Sequence, residues 1–248
     1  MKIESLQNST IKTLSKLKNK KDRDLSGRFL VEGLHMIQEA AAAGILEHVY
    51  QLDTLPVFKQ AGVTFCTQPV LNKLSAQKSD AKYIGVCHRP DSSSDQECTK
   101  LLLLDRVQDP GNLGTLIRSA HSFGIQKIIC STDCADAFGP KALQSSQGAL
   151  FHLPVEYTDL LSVVERLKER DVTVFGAALH QNSIELNALD IPEKFAVMIG
   201  NEGQGICEEL LGACSKLVHI EMQTFESLNA AIAGSILMYA FQFPTASR

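Results

Sequence analysis

No apolar run in this sequence approaches the roughly 18 to 20 residues needed to span a bilayer. The longest candidate, Ala230 to Phe243, is shorter and follows polar residues, so no membrane segment is expected. Met1-Lys-Ile-Glu-Ser lacks the apolar core of a secretory leader. A cytoplasmic protein is therefore expected, or an organellar one if a presequence has been removed. The seven cysteines (Cys66, Cys87, Cys98, Cys130, Cys134, Cys207 and Cys214) contain no CxxC pair. An odd count without zinc spacing argues for reduced, non-catalytic thiols and no metal site. Cys207 and Cys214 read as small core residues. His35, His48, His88, His121, His152, His180 and His219 are scattered and read as surface or core residues rather than ligands. There is no GxxxxGK[ST], GxGxxG, GxSxG or HExxH. These absences remove P-loop nucleotide hydrolysis, Rossmann-type dinucleotide binding, a serine hydrolase elbow and a zinc protease.

What is present is a soluble globular composition, with 44% apolar and 21% charged residues over 248 positions. The net charge of −4 argues against indiscriminate coating of nucleic acid. The charge is unevenly spread, however. Lys12, Lys16, Lys18, Lys20, Lys21, Arg23 and Arg28 crowd the first thirty residues against Glu4, Asp22 and Asp24. Such a stripe either grips phosphates or is simply a solvated helix face. Lys16, Lys18, Lys20, Lys21 and Arg23 are its candidates for contact with nucleic-acid phosphates.

A polar, serine-rich seam, His88-Arg-Pro-Asp-Ser-Ser-Ser-Asp-Gln-Glu-Cys-Thr-Lys100, divides the chain. It predicts a first domain over 1–92, a linker over 93–99 and a second domain over 100–248. Alternating βα patterns on both sides predict an α/β protein. In the first part, strands are expected at 29–32, 48–52, 63–66 and 82–87, with helices at 34–43, 57–61 and 70–76. In the second, strands are expected at 101–107, 126–130, 151–156, 172–178, 195–200 and 216–220. Helices are expected there at 113–123, 139–147, 159–170, 207–213 and 227–242. The nearly continuous apolar strands predict a parallel sheet buried on both faces.

Three of these strands end in small, amide-rich and glycine-rich loops. Leu101-Leu-Leu-Leu104 leads into Asp109-Pro-Gly-Asn-Leu-Gly114, with Arg118 four residues on. Phe195 to Gly200 leads into Asn201-Glu-Gly-Gln-Gly205, and Leu217 to Ile220 leads into Glu221 to Asn229. Ligands collect outside the carboxyl ends of strands in α/β sheets, so one composite pocket is expected. Each candidate residue has a structural alternative. Asn112 either caps a helix or contacts a ligand. Arg118 either pairs with a carboxylate or meets substrate. Glu202 either works on substrate or caps the next helix. Ser227 is a good cap for the last helix, whereas Asn229, inside its first turn, needs a partner if buried.

Taken in order, the three loops closely resemble the three motifs of the SpoU or TrmH type RNA 2′-O-ribose methyltransferases of the SPOUT superfamily. Val107 to Gly124 carries the first motif, Ile199-Gly-Asn-Glu-Gly-Gln-Gly205 the second and Glu226-Ser-Leu-Asn-Ala-Ala-Ile-Ala233 the third. The resemblance spans about 101 to 243. Ser5-Leu-Gln-Asn-Ser-Thr-Ile-Lys12 and Arg28-Phe-Leu-Val-Glu-Gly33 are similar to that family's ribosomal-protein-like substrate-binding domain.

The resemblance implies a SPOUT domain with a deep trefoil knot, a homodimer with the site near the subunit interface, and methylation of structured RNA. Ribosomal RNA is favoured over transfer RNA. It implies S-adenosylmethionine bound by knot backbone near Ala177, Gly200, Ile220 and Leu228, without a metal. By motif it assigns Asn112, Arg118, Glu202, Ser227 and Asn229 to catalysis. Family proposals make the arginine a base for the ribose hydroxyl. A guanidinium keeps its proton in ordinary surroundings, so Arg118 is expected instead to grip a phosphate and stabilise alkoxide charge. Two departures stand out. Ile220-Glu-Met-Gln-Thr224 replaces the usual Ile-Pro-Met with a following glycine, and Ala230-Ala-Ile replaces Val-Ser-Val. A catalytically silent RNA-binding assembly factor would keep the same fold, and binding of S-adenosylmethionine separates the two readings.

Overall fold

The computed structural model describes residues 2–77, 80–90, 98–223 and 228–244. The first unit runs β1 (Lys2–Ile3), α1 (Ser9–Lys16), α2 (Lys20–Ser26), β2 (Arg28–Glu32), α3 (Leu34–Ala42), β3 (Leu46–Leu52), β4 (Gly62–Cys66), α4 (Gln68–Leu74) and β5 (Tyr83–His88). Its mixed five-stranded sheet has the order β1-β4-β3-β5-β2.

The second unit runs β6 (Lys100–Leu104), α5 (Pro110–Ser122), β7 (Lys127–Cys130), α6 (Pro140–Ser146), β8 (Val155–Tyr157), α7 (Leu160–Glu169), β9 (Thr173–Ala177), β10 (Ile184–Glu185), β11 (Phe195–Ile199), α8 (Glu208–Ala213), β12 (Lys216–His219) and α9 (Ala230–Gln242). Its seven strands are all parallel, in the order β10-β12-β9-β11-β6-β7-β8.

The apolar strands follow from burial on both faces. On β6, Leu102 and Leu104 enter one core while Leu101 and Leu103 enter another. On β11, Phe195, Val197 and Ile199 alternate in the same way with Ala196 and Met198. The chain builds β6, β7 and β8 outward, then returns to the far side, and β11 fills the slot between β9 and β6. This reversal places the carboxyl ends of β6 and β11 side by side, with Ile199 paired to Leu104. Such a switch point is where open α/β sheets build their sites.

Several expectations need correction. The strand expected at 101–107 stops at Leu104, because Arg106 takes a left-handed backbone with φ 55°. The strand expected at 151–156 begins only at Val155; residues 149–151 form a short 3₁₀ turn whose Leu150 and Phe151 are buried as turn residues. The helix expected at 57–61 is a loop. Fully buried Gln51 donates to the carbonyls of Leu52, Leu55 and Pro56 and accepts from Phe58 N–H, so the backbone there is satisfied without helical bonds. The basic N-terminal stretch forms two helices, the first capped by Asn8. Of the linker expected at 93–99, residues 93–97 lie outside the described residues.

The two units pack together firmly. One hydrophobic cluster contains Phe29, Val31 and Ile37 from the first and Leu102, Leu113 and Phe138 from the second. The Phe29 ring lies 5.0 Å from Phe138 and 5.9 Å from Phe151. Cys207 and Cys214 are partly buried against the other core of the large sheet. Among the described residues no helix is long and apolar enough to cross a membrane, and no cluster of histidine, cysteine and carboxylate side chains could hold a metal ion.

Candidate active site

The β6–α5 loop starts from Asp109. Its Oδ1 accepts the N–H groups of Gly111 and Asn112 at 2.7 and 2.9 Å, so Asp109, rather than Asn112, caps α5. Lys141 Nζ donates to Asp109 Oδ2 at 2.6 Å and, with these backbone donors, holds the Asp109 carboxyl below its ordinary range. Relieved of capping, the Asn112 side chain faces the other loops.

There it meets both. Asn112 Nδ2 donates to Glu202 Oε1 at 3.0 Å, and Asn229 Nδ2 donates to Asn112 Oδ1 at 3.0 Å. Glu202 also accepts N–H bonds from Gln108 and Asp109 at 3.3 and 3.1 Å. It caps no helix; α8 starts at Glu208, with Cys207 at the cap position and no side-chain cap. Burial pushes the Glu202 carboxyl up, but the Asn112 amide and the backbone donors outweigh it, and the group sits below its ordinary range. Asn229 is exposed rather than buried, and it is the cap of α9: its Oδ1 accepts from Ala231 and Ile232 N–H at 2.9 and 3.2 Å. Ser227, expected as that cap, lies outside the described residues.

Arg118 lies on the exposed face of α5, six residues beyond Asn112. Its guanidinium has no ion pair or hydrogen bond among the described residues, so the carboxylate partner weighed from the sequence is not seen there. It does not touch the Asn112, Glu202 and Asn229 trio.

Sequence reasoning missed Asp105 and Arg106. Buried Asp105 accepts from Arg106 Nε at 3.0 Å and from Cys207 N–H at 2.8 Å. Arg106 Nη1 donates to Gln204 Oε1 at 3.0 Å. Asn201 Nδ2 donates to the Arg106 carbonyl at 2.9 Å, and Asn201 Oδ1 accepts from Gly203 and Gln204 N–H. This pair rivets the first loop to the second. Its signal was two opposite charges directly after four leucines.

Beside the trio opens a pocket of about 420 Å³ between the ends of β9, β11 and β12 and the start of α9. Ala177, Gly200, Ile220 and Leu228 all line it. That volume falls in the roughly 300–1,000 Å³ range of small-molecule sites. One wall is aliphatic, including Val218 and Leu237; the other is the main chain of 200–205, a hairpin closed by mutual N–H to carbonyl bonds between Asn201 and Gly205. A Cβ on Gly200 would lie 2.1 Å from the Gly205 carbonyl carbon, so only glycine allows this turn. An apolar slot edged by peptide groups suits a flat heterocycle with a hydrogen-bonding edge, as the adenosine of S-adenosylmethionine provides. The atypical Glu221 turns aside: its Oε1 accepts Asn187 N–H at 3.1 Å, while Met222 lines the pocket.

On the N-terminal stripe, Lys16, Lys18, Lys20 and Lys21 are exposed. Arg23 is not. It is 4% exposed, donates to the carbonyls of Leu17 and Lys18 at 2.7 Å, and pairs with Asp136 at 2.5 Å. All its reach is spent inside the protein, which corrects its assignment to RNA contact.

Comparison with known proteins agrees with this geometry. Residues 100–239 match the model of the SpoU rRNA methylase family, and residues 8–85 match an MRM3-like substrate binding domain. The chain is 36% identical to the 23S rRNA (guanosine(2553)-2′-O)-methyltransferase RlmP of Bacillus subtilis, over 96% of this chain and 97% of that one. A solved rRNA methyltransferase from Sinorhizobium meliloti superposes with a TM-score of 0.88 at 25% identity, covering 100% of this chain and 99% of that one. The AdoMet-bound form of that enzyme superposes with a TM-score of 0.85 at the same 25% identity, over 100% and 99% of the two chains. With a family model matching more than half of its length and a relative aligned nearly end to end, the chain belongs to the SpoU rRNA methylase family.

Proposed function

We propose that this chain transfers a methyl group from S-adenosylmethionine to a ribose 2′-hydroxyl of ribosomal RNA. The observation that carries the reading is the meeting of Asn112, Glu202 and Asn229, from three separated loops, beside a pocket lined by Gly200 and Ile220. Nothing in fold stability requires those three polar groups to converge at the rim of a cavity.

In that pocket Gly200 and the 201–205 backbone would hold the adenosine edge, and Ala177, Ile220 and Leu228 its apolar face. S-adenosylmethionine supplies there an electrophilic methyl carried on a sulfonium. Glu202, ionised and fixed by Asn112, keeps lone pairs free to accept the ribose hydroxyl. Its depressed pKa makes it a holder of that proton rather than a remover of it. Arg118 grips the neighbouring phosphate and stabilises the charge developing on the ribose oxygen. The hydroxyl proton passes to a non-bridging oxygen of that phosphate and from there to water. Positioning supplies most of the acceleration. Ser227 is assigned to the same site by its motif.

The reading includes a homodimer. Ile232, Ile236, Tyr239 and Phe243 expose an apolar stripe at helical spacing along α9, which packs on α5 through Ser119 and Ser235. Contiguous exposed apolar residues of this kind mark an interface. Pairing there would bring Arg118 of one subunit towards the other's site. Insertion of β11 between β6 and β9 and the return of α9 onto α5 support a threaded, knotted C-terminus. We also assign 1–92 to RNA recognition, 93–99 to a linker and 100–248 to methyl transfer, and place the protein in the cytoplasm.

The test is transfer of labelled methyl to unmodified ribosomal and transfer RNA transcripts, with calorimetry of S-adenosylmethionine binding alongside. Label on a ribose 2′-oxygen of ribosomal RNA supports the reading. Binding of RNA without binding of S-adenosylmethionine would leave a silent assembly factor, and label only on transfer RNA would change the substrate.

A further inference from the structure

A second cavity, of about 440 Å³, is built half from each unit and belongs to none of the chemistry above. The first unit contributes Lys18 from the turn after α1, Glu32 from the end of β2, Leu34 and His35 from the start of α3, and Arg23, whose guanidinium is already bonded to Leu17, Lys18 and Asp136; α6 contributes Lys141 and Gln144. Much of the remaining lining is aliphatic. Because the two units share one hydrophobic cluster and a buried ion pair, the cavity is a fixed part of the fold rather than a gap between loosely tethered bodies.

Its chemistry is selective. The Glu32 carboxylate accepts from Ser75 Oγ at 2.7 Å through Oε2, and Oε1 takes no hydrogen bond from any described side chain. A carboxylate with a spare oxygen repels a phosphate and attracts an N–H donor. Aliphatic walls favour a flat, weakly hydrated ring, and Leu34, 43% exposed, offers such a surface at the cavity's edge. Lys18, exposed at the mouth, can hold a phosphodiester there. Burial holds the Lys18 ammonium below its ordinary range, with the nearby Glu32 carboxylate partly offsetting it.

The cavity also lies one side chain from the catalytic loop. Lys141 lines it and donates to Asp109, whose carboxylate caps α5 beneath Asn112 and whose own N–H donates to Glu202.

We propose that the cavity between the two units receives an unstacked base of the substrate RNA, close in sequence to the methylated nucleotide, with Glu32 accepting an N–H from its edge. Sequence-specific RNA recognition works largely by splaying out single-stranded bases into such sites. The proposal rests on the methyltransferase reading.

Gln144→Trp, at an exposed position on α6, fills the cavity without touching the trio. Its methyl transfer to 23S rRNA transcript should show a KM at least about tenfold above wild type, as expected for loss of one seated base. Binding of S-adenosylmethionine should be unchanged. Glu32→Gln should raise KM in the same direction. Wild-type KM in both variants overturns the cavity proposal while the methyltransferase reading stands. If wild type methylates no transcript, that reading fails instead. The cavity is then judged by photocrosslinking wild-type protein to 23S rRNA carrying 4-thiouridine and 6-thioguanosine. Adducts within 30–36 or 140–147 support it, and adducts elsewhere only, or none, overturn it.

Discussion

Arg23 reaches across the boundary between the two units and pairs with Asp136 at 2.5 Å, with side-chain exposures of 5% and 14%. A basic residue in a stretch that looks made for phosphate is thus a structural bolt. Arg23→Ala would leave Asp136 poorly solvated and without its cation, at a cost of about 3–5 kcal/mol. Urea unfolding should show that loss, whereas Lys21→Ala should stay within about 0.5 kcal/mol of wild type. The exposed lysines should behave oppositely: neutralising Lys16, Lys18, Lys20 and Lys21 should leave unfolding unchanged and flatten the salt dependence of RNA affinity. Equal stability of R23A and K21A would refute the bolt.

Arg118 has no partner among the described side chains, so removing it should not disturb the fold. Arg118→Ala should abolish methyl transfer while S-adenosylmethionine binding survives. Retained turnover would end its assignment. Asn112→Ala should lower kcat by about 10²–10³, the scale of losing one preorganised polar group at a reacting centre, again with binding of the methyl donor intact.

Acid should act on the trio late. The Glu202 carboxyl and the Asp109 carboxyl are both held below their ordinary range, the second chiefly by Lys141. Groups with depressed folded pKa values add stability above their unfolded pKa and lose it as pH falls through the folded one. The melting-temperature gap between wild type and an Asp109→Asn, Glu202→Gln double variant should therefore hold constant from pH 8 to about 5 and close only below the ordinary carboxylate range. A gap that closes between pH 7 and 5 would contradict this placement of the charges.

Gly200→Ala puts a methyl group 2.1 Å from the Gly205 carbonyl carbon, so the 200–205 turn must open. Calorimetry should show S-adenosylmethionine binding weakened 10- to 100-fold, about 1.4–2.8 kcal/mol. Unchanged affinity would mean that this hairpin does not hold the methyl donor.

Much of this fold was legible because its strands are buried on both faces and its loops are punctuated by glycine and amides. The strands at Leu101, Phe195 and Lys216 and the helix before Phe243 could be read that way. What could not be read depends on tertiary partners. Asp109 takes the cap that Asn112 might equally have filled, because Glu202 and Asn229 claim the Asn112 amide. Gln51 replaces a helix by bonding four backbone groups across a loop. Arg106 ends its strand early to reach Gln204. The seam read as a divider was judged by composition, which carries no sign that Phe29 of the first unit packs against Phe138 of the second.

The placement of β11 between β9 and β6 also bears on synthesis. Until residues 195–199 have left the ribosome, the two strands that will flank them have no neighbour on their facing edges. Unpaired, apolar edges invite association with other chains. Each nascent molecule therefore passes through an interval in which β6 and β9 are open on those edges, and a chain truncated before Phe195 should collect in aggregates even though its first unit is complete.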